Sequence, residues 1–235
     1  MSHVADKLHP WVSSAGAPAG PRWLQDLRAR GAATFSALGF PTVRDEEWRF
    51  TSVAPIANGE FRPAPPVSWT PAEIDGLPYG GASVRLVVVN GRFSPELSRL
   101  FQLPHGVRAG SLAAAVTGAL HADLEAPRRY LGTLADFHDR AFVALNTAHL
   151  EDGVCVLIPD GVVMDEPIQL VFVSSGSAAD AATVSYPRCL IVAGERSQAR
   201  IVETYVGGGV PYLVNAVTEV FAGANASLDH YKVQQ

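Results

Sequence analysis

Histidine is a residue type that can bind a metal ion and also transfer protons near neutral pH. The seven histidines are scattered along the whole sequence: His3, His9, His105, His121, His138, His149 and His230. No two have the H-E-x-x-H spacing that places both rings on one face of a helix. His138 and His149 would be about three helical turns apart, which is too far for one metal ion. We therefore expect solvent-exposed or capping histidines and no metal site.

The two cysteines, Cys155 and Cys189, lie inside apolar runs that are typical of strands. A free cysteine in such a run usually behaves as a small buried hydrophobic residue. Two thiols cannot form a disulfide framework or supply the four ligands of a structural zinc site, and so few cysteines indicate a reducing compartment. If both side chains lined the same interior they could approach each other, but the sequence leaves that open. We assign no thiol chemistry to them.

The remaining polar motifs have simpler structural interpretations. Gly207-Gly208-Gly209 lacks the lysine and the Ser/Thr of a phosphate-binding loop, so it predicts a turn. Asp45-Glu46-Glu47 are adjacent and point in different directions, so with Trp48 they predict an acidic, solvated turn anchored by a buried tryptophan and not an acid–base pair. The candidate nucleophiles lack the G-x-S-x-G context: Ser13, Ser14, Ser174, Ser175 and Ser185. The sequence thus predicts no catalytic, cofactor-binding or metal-binding residue.

Composition excludes several classes of protein. The 235 residues carry 18 basic and 23 acidic side chains, a net charge of −5, which gives no electrostatic footprint for nucleic acid. No apolar run approaches the roughly 18 residues that cross a bilayer, and the first residues lack the pattern of a secretory signal. Charged residues make up only 17% of the chain, which favours a β-rich body or a piece of a larger one. We expect a cytoplasmic protein that binds neither nucleic acid nor membranes.

A change in composition near residue 150 marks a candidate domain boundary. Residues 151–235 hold ten acidic and four basic residues (4 − 10 = −6), whereas residues 1–150 hold 13 and 14 (14 − 13 = +1). We predict a flexible lead-in over 1–20, an amino-terminal helical or mixed domain with a proline-rich connector over 21–150, and a β-rich domain over 151–235.

Capping residues and apolar spacing predict the elements of the amino-terminal domain. Pro21 and Gly39 bound a first helix, and Leu86–Val89 predicts a buried strand that ends in an Asn90-Gly91 turn. Three more helices are predicted: from Ser94-Pro95-Glu96 to about Gln102, over 112–120 after the cap Ser111, and a third with apolar residues from Phe137 to Ala148 that ends at Asp152-Gly153.

Beyond Gly153 the sequence changes to short β-branched runs separated by glycine turns. The predicted strands are Val154–Ile158, Ile168–Val173, Arg188–Val192, Arg200–Val206, Val214–Phe221 and Ser227–Val233. No intervening segment is long enough for a helix that covers a sheet face, so a βαβ layout is disfavoured. The residues alone leave two architectures open, a β-sandwich and a β-helix solenoid. A solenoid would end at Gln235 in an uncovered strand edge, so we expect a chain that stops inside the fold and is prone to homo-oligomerise through that edge.

Several segments together resemble the SufB/SufD family of the SUF iron–sulfur cluster assembly system. The stretch Pro41-Thr42-Val43-Arg44-Asp45-Glu46-Glu47-Trp48-Arg49-Phe50-Thr51 resembles the P-x-x-[KR]-x-E-x-W-[KR]-[YF]-T segment of the SufD type. Further segments match in order: Val87–Phe93 with Leu97-Ser98, Phe142–Ala148 with Asp152-Gly153, Ile158–Gly161, Tyr186–Arg188, Glu203–Gly207 and Leu228–Gln234. The resemblance runs from about Pro41 to the end of the chain.

The resemblance implies a right-handed parallel β-helix preceded by a small helical domain, with the family's carboxyl-terminal helical domain missing from this chain. It implies a non-catalytic scaffold subunit that acts with a SufB-like subunit and a SufC-like ATPase, where ATP hydrolysis belongs to the partner. The full complex is expected to assemble iron–sulfur clusters, while this segment binds no cofactor. Cys155 and Cys189 do not match cluster-ligand positions of the family.

Two other functions stay open from the residues. A β-helix carbohydrate-active enzyme or acyltransferase would show clustered carboxylates or basic residues on one sheet, or a strict six-residue repeat, and neither is visible. A plain interaction module would have the same sequence features as the scaffold.

Overall fold

A computed structural model of the chain describes residues 9–13, 20–77, 81–101, 103–120, 125–176, 182–209 and 211–234. The helices in these ranges are α1 (Pro10–Ser13), α2 (Arg22–Leu38), α3 (Ala54–Ala57), α4 (Pro71–Asp75), α5 (Leu112–Thr117), α6 (Glu125–Tyr130) and α7 (Ala141–Ala148), with a 3-10 turn over Glu46–Trp48. The strands are β1 (Arg62–Pro63), β2 (Val84–Val89), β3 (Arg92–Leu100), β4 (Arg108–Ser111), β5 (Gly153–Ile158), β6 (Ile168–Ser175), β7 (Thr183–Ser185), β8 (Arg188–Ala193), β9 (Gln198–Gly208), β10 (Tyr212–Val214), β11 (Val217–Ala222) and β12 (Ser227–Gln234).

The strands form three sheets, and consecutive strands in the second half of the chain lie in different sheets. Sheet 1 has the order β1-β7-β10, sheet 2 the order β4-β5-β8-β11, and sheet 3 the order β3-β2-β6-β9-β12. The chain is therefore mixed α/β, with most of its strands in parallel or mixed sheets. This agrees with the coarse prediction of a mainly β protein with an α/β amino-terminal region.

The last six strands repeat one path through the three sheets. The set β7, β8 and β9 is followed by β10, β11 and β12, and each strand pairs in parallel with its counterpart. The offset is the same in all three sheets: Thr183 pairs with Tyr212 (212 − 183 = 29), Cys189 with Thr218 (218 − 189 = 29), and Gln198 with Ser227 (227 − 198 = 29). We call each such set of three strands a circuit.

The amino-terminal strands cover the other edge of each sheet. β1 pairs in parallel with β7, β2 pairs in parallel with β6, and β4 pairs antiparallel with β5. β3 then folds back antiparallel on β2. Strands from the amino-terminal region thus occupy the edge of each sheet at which a preceding circuit would otherwise pair.

The predicted helix from Ser94 to Gln102 is wrong, because Arg92–Leu100 is strand β3. Asn90 and Gly91 have positive φ values of 49° and 84°, which suits a two-residue hairpin turn and directs the chain back along β2. Pairing with β2 overrides the local helix-start signal. Pro95 is tolerated because it lies in the interruption of the β2/β3 pairing, between the paired residues Ser94 and Arg99, where it has no strand partner.

The other predicted elements are largely confirmed. Helix α2 begins and ends as expected, and the Ser111 hydroxyl caps α5 by accepting a hydrogen bond from the Ala114 N–H at 3.0 Å. The helix predicted around Phe137 to Ala148 is shorter, beginning at Ala141. The predicted strand Val214–Phe221 is two strands, β10 and β11, because buried Asn215 turns the chain between sheets.

The described residues form three apolar cores, and two of them contact sheet 2, because the side chains of its strands alternate between two faces. The first, the circuit interior, lies between the sheets and includes Val154, Val156, Leu170, Cys189, Ile191, Ile201 and Tyr205. The second, the helix interface, packs the outer face of sheet 2 against the helices and includes Leu24, Leu27, Phe35, Leu112, Leu145, Cys155 and Leu190. Neighbouring residues of one strand therefore belong to different cores.

Gly31, which interrupts the apolar pattern of α2, marks the closest approach of two helices. A Cβ atom at this position would lie 2.8 Å from the Ala148 backbone nitrogen and 2.9 Å from the Ala144 carbonyl oxygen of α7. Because Gly31 has no side chain, α2 packs directly on α7. The two helices together form the helical side of the helix interface.

Candidate functional site

The two thiols lie on opposite faces of sheet 2. Val154, not Cys155, pairs with Cys189, so the two cysteine side chains alternate to different sides. Cys155 is buried in the helix interface and Cys189 in the circuit interior, and both are free. The possibility that they line one interior is thereby excluded, and the expectation that both thiols are buried is confirmed.

Burial makes both thiols poor ligands and poor nucleophiles. Loss of hydration raises the pKa of Cys155 to about 12. Burial also raises the pKa of Cys189, and the nearby Glu203 carboxylate adds to this effect. The thiolate is the reactive and metal-binding form of cysteine, so neither side chain is prepared for that chemistry.

The circuit interior contains a polar cluster centred on the fully buried carboxylate of Glu203. The Thr218 hydroxyl donates to Oε1 at 2.7 Å, and the Tyr205 hydroxyl donates to Oε2 at 2.8 Å. His230 Nε2 lies 2.9 Å from Oε1, with its side chain one-third exposed (32%). These contacts join β9 to β11 and β12, so the cluster fixes the last circuit against the one before it.

Two more side chains complete the surroundings of this cluster. The Tyr205 ring stacks on Phe172 with centroids 4.5 Å apart, and the Lys232 ammonium lies 4.6 Å from the same ring. Burial, together with the charge of Glu203, raises the pKa of Tyr205, so the phenol stays protonated and donates its hydrogen bond. Both oxygens of Glu203 are thus occupied, and the cluster acts as a fixed network.

A second buried carboxylate, Glu219, lies at the helix interface. Arg188 Nη2 donates to its Oε1 at 2.7 Å, and neither side chain is exposed. The backbone N–H groups of Gly132, Leu134 and Ala135 also donate to Glu219, at 2.9 to 3.0 Å. The carboxylate therefore links the last circuit to the loop after α6, with its charge compensated by one guanidinium and three peptide dipoles.

Sequence reasoning missed these two carboxylates and their arginine. Their partners lie far away in the chain, 87 residues for Gly132 and Glu219. One local signal was available, because Arg188, Glu203 and Glu219 are charged residues inside apolar strand runs. A charge in such a position is buried only with a partner.

The histidines behave mostly as predicted. His138 and His105 are exposed, and His9 caps α1 by accepting the Trp11 N–H at its Nδ1. His149 directly follows α7, stacks on Tyr186, and contacts the Trp11 carbonyl oxygen at 2.7 Å. His230 differs from the prediction because it contacts Glu203. His3 and His121 lie outside the described residues.

The other motifs have structural roles. Asp45–Glu47 form an exposed turn as predicted, but Trp48 is half-buried where a buried ring was expected. Gly207 and Gly208 continue strand β9, so the predicted turn is wrong there, and only Gly209 has a positive φ, 92°. The Ser175 hydroxyl accepts the Trp69 indole N–H, and Ser174 and Ser185 are buried. Ser14 and the side chain of Ser13 lie outside the described residues.

Within the described ranges, no three His, Cys, Asp or Glu side chains are grouped so that they could hold a metal ion. Among the helices of those ranges, none has the length and hydropathy that crossing a membrane requires.

Family models match the chain in two consecutive segments. The model described as "SufBD protein N-terminal region" matches residues 81–170, and "SUF system FeS cluster assembly, SufBD core domain" matches residues 172–235. The chain belongs to the SufB/SufD family. The second match begins inside β6 and includes both circuits, so the repeated strand path lies in the SufB/SufD core domain.

Curated SufB/SufD relatives align with nearly the whole chain. "Iron-sulfur cluster assembly SufBD family protein slr0076" of Synechocystis sp. is 32% identical over 226 residues, which cover 90% of this chain and 48% of the relative. "Protein ABCI7, chloroplastic" of Arabidopsis thaliana is 26% identical over 99% of this chain and 48% of its own length. "Iron-sulfur cluster assembly protein SufD" of Escherichia coli is 22% identical over 99% of this chain and 50% of its own length. The chain spans about half the length of these relatives.

Proposed function

We propose that this chain is a SufD-like scaffold subunit of the SUF iron–sulfur cluster assembly system, acting with a SufB-like subunit and a SufC-like ATPase. The observation that carries the proposal is the pair of consecutive SufB/SufD family matches over residues 81–170 and 172–235. The names of the Synechocystis and Escherichia coli relatives refer to iron–sulfur cluster assembly, which supports the same role. The chain has no catalytic role in this proposal, and ATP hydrolysis belongs to the partner.

The proposal includes the finer architecture that the resemblance implies. The three sheets are the faces of a right-handed parallel β-helix, and the amino-terminal region covers its first edge. The common offset of 29 residues in all three sheets supports this interpretation, because each circuit then adds one strand to every face. The rigid stack would present partner-binding surfaces at fixed positions, which is what a scaffold requires.

An iron–sulfur cluster is the product of this system and not a resident cofactor of the described segment. Both thiols are buried and their pKa values are raised, so Cys155 and Cys189 do not fit as cluster ligands. The role proposed for this segment is structural: it holds the circuits and the covered first edge in place. The proposed location is the cytoplasm, and self-association stays a prediction.

Affinity purification from the source organism tests the proposal on the protein as it exists. The chromosomal gene is tagged, cells are fractionated anaerobically, and the purified material is analysed by mass spectrometry and for ATPase activity. We expect the tagged protein in the soluble fraction with SufB-like and SufC-like subunits and measurable ATP hydrolysis. Recovery of a folded protein without either subunit would overturn the scaffold assignment.

A cysteine-free strain separates the structural role of the thiols from a role in cluster ligation. Cys155→Ala and Cys189→Ala are introduced together at the chromosomal gene, and the activity of iron–sulfur enzymes is measured. Because the thiols are not ligands in this proposal, activity should stay near that of the parent strain at equal protein level. A severe loss of cluster assembly with a normal amount of the tagged protein would contradict the structural role.

A further inference from the structure

An open groove lies between residues 38–48 and residues 139–143, and neither Glu203 nor Glu219 lines it. Its volume is about 450 Å³. The aromatic rings of Phe40, Trp48 and Phe142 line it, with Phe142 centroids 5.7 Å from Phe40 and 5.2 Å from Trp48. The rings of Phe40, Trp48 and Phe142 therefore form an aromatic cluster that is partly exposed in the groove.

The rim of the groove is acidic. The lining includes the carboxylates of Asp45, Glu46, Glu47 and Asp139 and one guanidinium, that of Arg140, a net charge of 1 − 4 = −3. Asp45 is used locally, because its Oδ2 accepts the Thr42 backbone N–H at 2.6 Å. Glu46 and Glu47 are exposed and make no ion pair or hydrogen bond with their side chains in the described part of the chain. Their charges are free to meet a ligand.

The groove is formed before any ligand arrives. The turn is held by backbone hydrogen bonds from Asp45 to Thr42, from Trp48 to Asp45, and from Thr51 to Trp48, each 2.9 Å long. The opposite wall is the first turn of α7, whose other side packs on α2. A preformed groove loses less conformational entropy on binding than a flexible loop does.

We propose that this groove docks a partner protein through an arginine or lysine side chain that is flanked by apolar side chains. Aromatic faces attract cations, and free carboxylates on the rim add charge-assisted hydrogen bonds. Two exposed apolar residues of the same wall favour a protein over a free ion: Leu38, which lines the groove, is 44% exposed, and Val43, between the lining residues Pro41 and Asp45, is 53% exposed. The negative charge of the rim disfavours acidic partners and anionic membrane surfaces. This surface goes beyond the proposed scaffold role and does not depend on it.

Peptide binding tests the proposal with a defined probe. The probe is the blocked peptide acetyl-Gly-Leu-Arg-Ala-Lys-Leu-Gly-amide, and its matched control has glutamine in place of arginine and lysine. Binding to the full chain is followed by tryptophan emission in the parent protein and in Trp48→Phe, because the difference isolates the response of Trp48. We expect saturable binding of the basic peptide with a Trp48 signal, and binding of the glutamine peptide weaker by about five-fold or more.

Charge variants locate the interaction. The double change Glu46→Gln/Glu47→Gln removes two exposed, unpaired rim charges without touching the core and should weaken binding about five-fold. The control double change Glu60→Gln/Glu166→Gln alters the net charge equally at exposed positions outside the groove and should leave binding within two-fold. Equal binding of both peptides, an equal loss in both double variants, or no Trp48 response to the basic peptide would each overturn the proposal.

Discussion

The circuit interior and the helix interface are both apolar, yet they bury their charged groups in different ways. At the helix interface, Glu219 binds the Arg188 guanidinium and three backbone N–H donors, and the side chains of Glu219 and Arg188 are fully buried. In the circuit interior, Glu203 contacts Thr218, Tyr205 and His230, and the His230 side chain is partly exposed to solvent. The difference indicates that the helix interface tolerates loss of a partner less well than the circuit interior.

Removal of the arginine at the helix interface should have the largest effect. Arg188→Met leaves the Glu219 carboxylate buried without its cation, and loss of one partner of a buried ion pair costs about 3–5 kcal/mol. Urea denaturation of the variant should show this loss in the free energy of unfolding. The double variant Arg188→Met/Glu219→Gln removes both charges and should recover part of the loss. A change below about 1 kcal/mol in the single variant would show that the link is not important for stability.

The corresponding change in the circuit interior should cost less. Glu203→Gln keeps the size of the side chain but points an amide N–H₂ group toward hydroxyl and imidazole donors, with an expected loss of about 2 kcal/mol. Glu219→Gln, measured beside it, faces a buried guanidinium and three N–H groups and should lose more. If urea denaturation ranks the two variants in the opposite order, the comparison between the two regions fails.

Substitution of each cysteine by alanine compares the same two regions without changing any charge. Cys155→Ala and Cys189→Ala should each lower the free energy of unfolding by about 1 kcal/mol, since each removes one buried sulfur atom. In the folded protein both thiols should react slowly with a disulfide reagent at pH 8, because burial raises their pKa values and leaves little thiolate. Reaction should become fast in denaturant. Rapid labelling of either thiol in the folded state would contradict its assigned burial.

His149 gives the smallest effect, a change in the pH dependence of stability. Burial lowers its pKa, which outweighs the opposing hydrogen bond with the Trp11 carbonyl. The unfolded chain takes up this proton near pH 6.5 and the folded protein only at lower pH, so stability falls as the pH drops below about 6.5. Denaturation curves should show a shallower fall for His149→Gln. Tyr186→Phe keeps the stacked ring and should retain the parent slope; equal slopes in the parent and His149→Gln would exclude this role.

Sequence patterns predicted local elements well and long-range contacts poorly. Runs such as Ile168–Val173 read directly as strands, and Ser111 identified the start of α5, because both signals lie within a few residues. The Ser94-Pro95 signal misled, since the hairpin formed with β2 is stronger than a local cap. Residue patterns left a sandwich and a solenoid open, and the resemblance to the SufB/SufD family implies the solenoid, which stays a proposal.

The repeat of 29 residues was invisible in the sequence for a physical reason. Paired positions share an orientation but not a residue type: Cys189 pairs with Thr218, and Glu203 pairs with Lys232. The polar cluster around Glu203 could not be predicted either, because Thr218 and His230 are distant from Glu203 in the sequence and contact it only when the strands of the two circuits pair.

The contact between Glu219 and the loop after α6 has a consequence for the order of biosynthesis. Gly132 leaves the ribosome 87 residues before the carboxylate that satisfies its N–H group. At typical translation rates this interval is roughly 4–17 s. During that time the N–H groups of Gly132, Leu134 and Ala135 have no Glu219 carboxylate to donate to, so this contact forms only after β11 has been synthesised.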